Sequence, residues 1–247
     1  LWHSFDHQRG YHPDPFYGGL MDVFRQPKYS YYMFKAQRSP RKEERLFETG
    51  PVVYIAHEMT PFSGKDVTVY SNCDEVRITF LKDGKTYTYN KPVVKEGMPS
   101  PVITFSDVYD FMVDKAMSRK KKQDEVLLRA EGLIDGKVVA THEVRPARRP
   151  EKVLLWVDNE NVNLKADGSD FVTVVAAIAD KNGNIKRLNN YYVKFHVEGE
   201  GRILGDAGIL ANPAPVKWGT APVLIQSTLK PGKIKVTASV LFEGSQM

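Results

Sequence analysis

Hydrophobic and polar positions divide the chain into a short mixed segment and two long stretches of alternating pattern. In the first segment, residues 1–7 are a short apolar stretch that ends in Asp6-His7, and the prolines and glycines around residues 8–18 favour a loop. Pro27 suits the first turn of a helix, which we expect to reach about residue 37. The apolar face of this helix follows the 3.6-residue period and consists of Tyr29, Tyr32, Met33 and Ala36. Residues 39–44 are predicted to form an exposed connector.

From residue 51 the period changes to two, which indicates β-strands. The predicted strands are 52–56, 66–71, 75–81, 85–89, 101–105, 126–134 and 137–144. Asp83-Gly84 and Asp135-Gly136 are hairpin turn signals. Residues 106–124 break the pattern. Val108, Phe111, Met112 and Lys115 have helical spacing, so we expect a short helical insertion followed by a basic loop.

Residues 145–150 contain two prolines and are predicted to be a linker. Beyond them the β pattern restarts, with strands predicted at 152–157, 171–179, 192–198, 221–228 and 233–242. Short strands joined by tight turns favour antiparallel sandwiches, and each stretch has the size of an immunoglobulin domain, about 100 residues. The sequence therefore predicts a mainly β protein with two immunoglobulin-like β-sandwiches in tandem.

Composition narrows the classes of function. The net charge of +5 comes with basic runs at 119–122 and 145–149, but no base-stacking pattern accompanies them, so we expect no nucleic-acid partner. No apolar run approaches the 18 or so residues that span a bilayer. Cys73 is the single cysteine, which excludes an internal disulfide. Leu1 and Trp2 have the character of the middle of a strand, so we expect the chain to be part of a larger enzyme.

The densest group of metal-ligand side chains is His3, His7 and His12 with Asp6 and Asp14. Hydrogen-bonded loop histidines are the favoured interpretation, because on a strand His3 and His7 lie too far apart to bind one ion without a bend. Asp180-Lys181-Asn182-Gly183-Asn184 begins like a calcium loop, but Ile185 replaces the required glycine, so a turn is predicted. We expect no metal and no cofactor.

No complete catalytic constellation is visible in the residues. The first forty residues contain Asp6, Asp14 and Asp22 but no glutamate, and no nucleophile-elbow sequence occurs. Trp2 lies near the end of a predicted strand before a polar and aromatic loop. It suits a stacking platform for a sugar ring, and core packing is the alternative.

Several motifs, in a characteristic order, resemble glycoside hydrolase family 2. The N-terminal ones are Trp2-x-x-x-Asp6, Gly19-Leu20-Met21 and Arg25-x-Pro27-Lys28. The middle ones are Val67-x-Val69-Tyr70-Ser71-Asn72-Cys73-Asp74-Glu75-Val76, Asp83-Gly84-Lys85 and Leu128-x-Ala130-x-Gly132-x-x-Asp135-Gly136-Lys137. The last ones are Gly199-Glu200-Gly201, Asn212-Pro213, Trp218-Gly219-Thr220-Ala221-Pro222 and Lys230-Pro231-Gly232.

The resemblance implies three regions. Residues 1–45 would be the last strand, loop and helix of a (β/α)8 barrel, and residues 50–147 and 151–247 the two sandwiches, the first carrying the insertion. The family's two catalytic glutamates lie on earlier barrel strands, so none of these 247 residues is expected to be catalytic and the chain alone is expected to be inactive. The residues implied to contact substrate are Trp2, Asp6, Arg9 and His12.

One departure from the family pattern bears on specificity. The Asn-x-Lys pair with which β-glucuronidases bind the substrate carboxylate has no counterpart, because residues 1–27 contain neither asparagine nor lysine. A retaining β-galactosidase acting on oligo- or polysaccharides is therefore the favoured parent. The resemblance implies a periplasmic or secreted protein and leaves homo-oligomerisation open.

The alternative is a non-catalytic carbohydrate-binding or adhesion module of immunoglobulin-like domains. Its candidate contacts are aromatic residues on a sheet face or loop crown: Trp156, Trp218, Tyr191 and Tyr192.

Overall fold

A computed structural model describes residues 3–7, 10, 16–41, 50–82, 85–94, 101–119, 126–158 and 163–241. The chain folds into two compact units, Leu1–Pro146 and Ala147–Met247. The first unit begins with β1 (His3–Phe5), β2 (Gly19–Met21) and helix α1 (Tyr29–Lys35). β1 and β2 pair in parallel. Of the predicted apolar face, only Ala36, the C-terminal cap of the helix, is buried, and no residue within Tyr29–Lys35 is buried.

The rest of the first unit is a β-sandwich with one helical insertion. Its elements are β3 (Val53–Ile55), β4 (Val67–Ser71), β5 (Glu75–Lys82), β6 (Lys85–Pro92), β7 (Val102–Phe105), α2 (Phe111–Arg119), β8 (Leu127–Ile134) and β9 (Lys137–Val144). One antiparallel sheet has the order β3-β4-β7 and the other β6-β5-β8-β9. Alternate residues of both sheets, such as Val69 and Ile78, meet in one core because side chains in strands alternate between faces.

The helical insertion begins directly after its N-terminal cap, Asp110. The carboxylate of Asp110 accepts hydrogen bonds from the backbone amides of Met112 and Val113. Val108 and Tyr109 are buried just before the helix, but Met112 is 66% exposed. Met112 therefore points away from the core, whereas Phe111 packs against the core and Asp114 is buried within the helix. The basic loop that we expected after the helix lies mostly outside the described residues, as does the Asp83-Gly84 turn.

The second unit is also built from two antiparallel sheets. Its elements are β10 (Lys152–Asp158), β11 (Phe171–Ala179), β12 (Tyr192–Gly199), β13 (Gly201–Ile203), a 3-10 helix (Ala207–Ile209), β14 (Ala214–Pro215), β15 (Thr220–Ser227) and β16 (Ile234–Leu241). The sheet orders are β10-β11-β15-β13 and β14-β12-β16. Val174, Ile178 and Phe195 lie in the shared core. Both units thus fit the predicted mainly β, antiparallel class.

The residues after β11 form a turn, as predicted. Asp180 is buried, and its carboxylate accepts hydrogen bonds from the amides of Asn182, Asn184 and Arg148 and from the side chain of Asn184. Burial alone would raise the pKa of Asp180, but these hydrogen bonds outweigh it and the pKa is lowered. Protein donors therefore occupy the carboxylate that begins the calcium-like motif.

Among the described residues, no helix has the length and apolar character that crossing a bilayer requires.

Candidate functional site

The N-terminal segment positions the predicted substrate loop by a close parallel pairing of two short strands. His3 lies opposite Gly19 and Phe5 opposite Met21, and the amide of Asp6 donates to the carbonyl of Met21 at 2.9 Å. A Cβ atom on Gly19 would lie 2.2 Å from the carbonyl carbon of Phe5. Only glycine allows this approach, so residue 19 fixes where the chain after β1 runs.

Asp6 joins the two ends of the segment between β1 and β2. Its side chain is 3% exposed, and Oδ1 accepts hydrogen bonds from the amide of Gly19 at 2.9 Å and from Nζ of Lys28 at 2.6 Å. The Lys28 ammonium also donates to the carbonyl of Tyr17 at 3.0 Å. Lys28 is separated from Asp6 by 22 positions, so no local pattern indicates this pairing. The buried carboxylate therefore joins β1, β2 and the start of α1.

Asp6 is the single described member of the four predicted substrate contacts, since Trp2, Arg9 and His12 lie outside the described residues. The occupied Oδ1 atom gives Asp6 a positioning role in this structure. Contact between these four residues and a substrate stays a prediction.

Asp22 stabilises the tight turn that follows β2. Its Oδ1 atom accepts hydrogen bonds from the amides of Phe24 at 2.8 Å and Gln26 at 2.9 Å. Burial raises the pKa of Asp22, although these two hydrogen bonds oppose the shift. Arg25 has a φ of 69°, and its guanidinium carbon lies 3.3 Å from the centroid of the Phe5 ring. The turn therefore places a cation over an aromatic ring of β1.

His3 and His7 come together despite their separation on a strand. Their ring centroids are 4.4 Å apart, and both rings lie 5.5 Å from the ring of Phe16. The approach arises because β1 ends at Phe5, and His7 then forms an isolated bridge with Phe16. Within the described ranges, no three metal-ligating side chains form a group that could hold an ion. His12 and Asp14 lie outside those ranges.

Helix α1 docks on the first sandwich through stacked rings. Tyr32 and Tyr54 are parallel within 5° with centroids 3.6 Å apart, and Tyr54 stacks in turn on His142 at 4.5 Å. The hydroxyl of Tyr29 donates to the carboxylate of Glu58. Nδ1 of His142 accepts from the amide of Ile55 at 3.1 Å, and burial lowers the pKa of His142. A neutral imidazole therefore ends a stack that links α1, β3 and β9.

A second anchor joins the residues after α1 to the same sandwich. Oδ1 of Asn72 accepts from the amide of Val52 at 2.7 Å, while its Nδ2 donates to the carbonyls of Arg38 and Gly50 at 2.9 and 3.0 Å. Arg41 forms an ion pair with Asp74 at 2.8 Å. The sequence marks this anchor only as polar residues that directly follow an apolar strand. The Ser71-Asn72-Cys73-Asp74 motif thus connects the N-terminal segment to the sandwich.

Comparisons with known proteins show which family shares this architecture. A family model described as glycoside hydrolase family 2 C-terminal domain 5 matches residues 155–241. The chain is 33% identical over 231 residues to a β-galactosidase of Thermoanaerobacter pseudethanolicus, an alignment that covers 90% of this chain and 28% of that relative. The chain belongs to glycoside hydrolase family 2. It corresponds to the C-terminal region of the glycosidases in this family, as the motif order predicted.

Solved structures of glycosidases share the fold. A β-glycosidase from Bacteroides vulgatus superimposes with a TM-score of 0.69 at 24% identity, covering 97% of this chain and 29% of that chain. A β-glucuronidase of family 2 superimposes with a TM-score of 0.64 at 19% identity, covering 96% of this chain and 24% of that one. The chain spans about a quarter of the length of the curated relatives it matches, 23 to 28%.

Proposed function

We propose that this chain is the C-terminal accessory region of a retaining β-galactosidase that acts on oligo- or polysaccharides. The similarity along 90% of the chain to a protein named β-galactosidase is the observation that carries the proposal. The chain makes up only 28% of the length of that relative, so the catalytic carboxylates are proposed to lie in the part of the parent protein outside these 247 residues. In such enzymes two carboxyl groups about 5–5.5 Å apart act as nucleophile and as acid/base.

In this proposal the N-terminal segment is the last strand, loop and helix of the catalytic (β/α)8 barrel. Two observations support it: β1 pairs in parallel with β2, and a helix follows the loop. Active sites of such barrels lie at the C-terminal ends of the strands, and Asp6 and His7 directly follow β1. The loop that begins at Asp6 is then one wall of the sugar pocket.

Within that wall the proposed contacts are shared among several residues. Trp2 stacks on a sugar ring at the pocket, and Arg9 and His12 contact polar or anionic groups of the substrate, such as a sulfate. Asp6 belongs to this set through its buried bond network, which holds the loop at Gly19 and Lys28. These bonds fix the two ends of the loop, at Asp6 and at Gly19, before substrate binds, which lowers the entropic cost of binding.

The two sandwiches are proposed to buttress the barrel, residues 50–147 through the Tyr54 stack and Asn72, and residues 151–247 as the second accessory domain. A galactoside is preferred to a glucuronide because residues 1–27 contain neither asparagine nor lysine for a carboxylate-binding pair. No cofactor is needed for this chemistry.

An assay of the intact parent protein against nitrophenyl β-galactoside, β-glucuronide and β-mannoside tests the proposal. Hydrolysis of the galactoside at a rate at least tenfold above the other two is expected, with no turnover by the 247-residue chain alone. A preference for the glucuronide would contradict the proposed specificity, and turnover by the chain alone would contradict the proposed position of the glutamates.

A further inference from the structure

A two-residue hairpin in the second unit holds a tryptophan in an unusual backbone conformation. The amide of Lys217 donates to the carbonyl of Thr220 at 2.8 Å, and the amide of Thr220 donates back at 3.1 Å. The residues between them, Trp218 and Gly219, have φ values of 51° and 82°. Two positive φ values in a two-residue loop are the mark of a type I′ turn, whose first position normally holds asparagine, aspartate or glycine. A bulky residue there is strained.

Contacts on both sides keep this strained turn in place. A Cβ atom on Gly219 would lie 2.6 Å from Cγ2 of Ile185 and 2.7 Å from the carbonyl oxygen of Lys186, so the turn packs tightly on the preceding loop. Nη1 of Arg187 donates to the carbonyl of Trp218 at 2.9 Å. The backbone of the turn is therefore fixed while the indole extends from it.

Packing does not account for the tryptophan at this position. The Trp218 side chain is 65% exposed, whereas Trp156, on a strand of the same unit, is 39% exposed. Strain is stored at functional sites more often than elsewhere, because the rest of the fold must hold it. A rigid, exposed indole on a fixed turn is the arrangement that a stacking contact requires.

Basic residues flank Trp218 in the hairpin and in the loop that packs against it. Lys217 precedes Trp218 in the hairpin, and Lys186 and Arg187 belong to the loop that packs against Gly219. The nearest acid along that loop, Asp180, turns its carboxylate inward to backbone donors. Cations grouped around an exposed apolar surface attract anionic ligands.

We propose that Trp218 is a stacking platform for a sugar ring of an acidic polysaccharide, whose sulfate or carboxylate groups meet the charges of Lys186, Arg187 and Lys217. The indole face covers the apolar C–H face of the sugar ring. Because the backbone of the turn is already fixed, binding costs no backbone freedom there. The carbohydrate class of the ligand rests on the proposed function. The site would hold polymer against the enzyme at a distance from the chemistry.

Calorimetric titration of the 247-residue chain with sulfated carrageenan oligosaccharides tests this site, with neutral agarose oligosaccharides as the comparison. Trp218→Asn is the decisive variant, because asparagine suits the first position of the turn. We expect this variant to bind the sulfated ligand at least tenfold more weakly and to melt at a higher temperature than the wild type. Loss of binding together with a gain in stability separates a ligand contact from a structural role.

Leu229→Asn is the matched control, since Leu229 is 76% exposed and follows the opposite end of β15. This variant should bind as the wild type does. Unchanged binding by Trp218→Asn, or no binding of either oligosaccharide by the wild type, would overturn the proposal. Equal affinity for agarose would overturn its acidic-ligand part. The titration involves no hydrolysis, so its outcome is independent of the galactosidase assay.

Discussion

At the scale of single residues, the Asp6 carboxylate holds together three parts of the N-terminal segment. We predict that Asp6→Ala exposes the Gly19 amide, because that amide and the Lys28 ammonium lose their acceptor together. Leaving a buried donor unpaired costs about 1–3 kcal/mol, which corresponds to exchange at Gly19 about 5 to 150 times faster. Hydrogen exchange followed by NMR measures this.

Asp22→Ala is the control for the Asp6 variant, since Asp22 accepts from Phe24 and Gln26 instead. It should speed exchange at those two amides and leave Gly19 as it is. Unchanged protection of Gly19 in Asp6→Ala would refute the positioning role.

We predict that two histidines, the buried His57 and the half-buried His142, make the first unit sensitive to acid. Burial lowers the pKa of His57 and of His142, although nearby groups such as Glu58 and Glu143 oppose the shift. The folded state therefore binds fewer protons than the unfolded state below the ordinary pKa of 6.5, so the free energy of unfolding is highest above 6.5 and falls as pH drops through the folded pKa values. Each histidine contributes at most about 1.4 kcal/mol per pH unit.

The predicted acid sensitivity is checked by urea unfolding between pH 7.5 and 5, followed through NMR signals of the first unit. His142→Asn offers an acceptor for the Ile55 amide without a titrating ring, so the pH dependence should become shallower. His196→Gln, at a 70% exposed position of the second unit, should leave the curve unchanged. Parallel curves for the wild type and His142→Asn would contradict the assignment.

At the scale of elements, the docking of α1 depends on the ring of Tyr54, which lies between Tyr32 and His142. Tyr54→Ala should release the helix, because an aromatic pair contributes about 0.5–1.5 kcal/mol beyond the area it buries. We expect the amides around Ala36 to lose at least tenfold in exchange protection. Tyr87→Ala, at a 42% exposed position of the edge strand β6, is the control and should not affect α1. Equal protection of α1 in both variants would show that the stack is not what holds it.

The long strands could be predicted because each carries its own pattern. β5 alternates buried and half-buried residues along most of its length, and Asp135-Gly136 marks the turn between β8 and β9. The short strands β2, β13 and β14 could not, since two or three residues hold no period and their pairing depends on partners elsewhere in the chain. Gly19, for example, owes its place to Phe5.

The contacts that keep the candidate site in place were harder to predict than the residues of the site themselves. Asp6 was visible as an acid after a strand, but its pairing with Lys28 is a long-range contact that no local pattern encodes. The same is true of His142, which reaches Tyr54 and Ile55 from a distant strand. The type I′ turn at Trp218 was hidden for the opposite reason, since its sequence departs from the residues that such turns favour.

At the scale of the whole molecule, the chain is a family 2 region in which an N-terminal segment is attached to one sandwich and a second sandwich follows. The attachment includes the ring stack, the Tyr29–Glu58 hydrogen bond and the Asn72 and Arg41 contacts. In the proposed parent these contacts would transmit the rigidity of the sandwich to the wall of the sugar pocket. The proposed chemistry belongs to the barrel, and the proposed polymer contact belongs to the second unit.

The central claim is that the parent is a retaining galactosidase whose nucleophile lies outside these 247 residues. An activated 2-deoxy-2-fluoro-β-galactoside should trap its covalent glycosyl-enzyme intermediate. Peptide mapping of the trapped parent protein by mass spectrometry tests the claim most directly. We predict one galactosyl adduct, on a glutamate outside the chain described above. An adduct on any residue within the chain, or no adduct from the galactoside while the corresponding glucuronide forms one, would contradict the account.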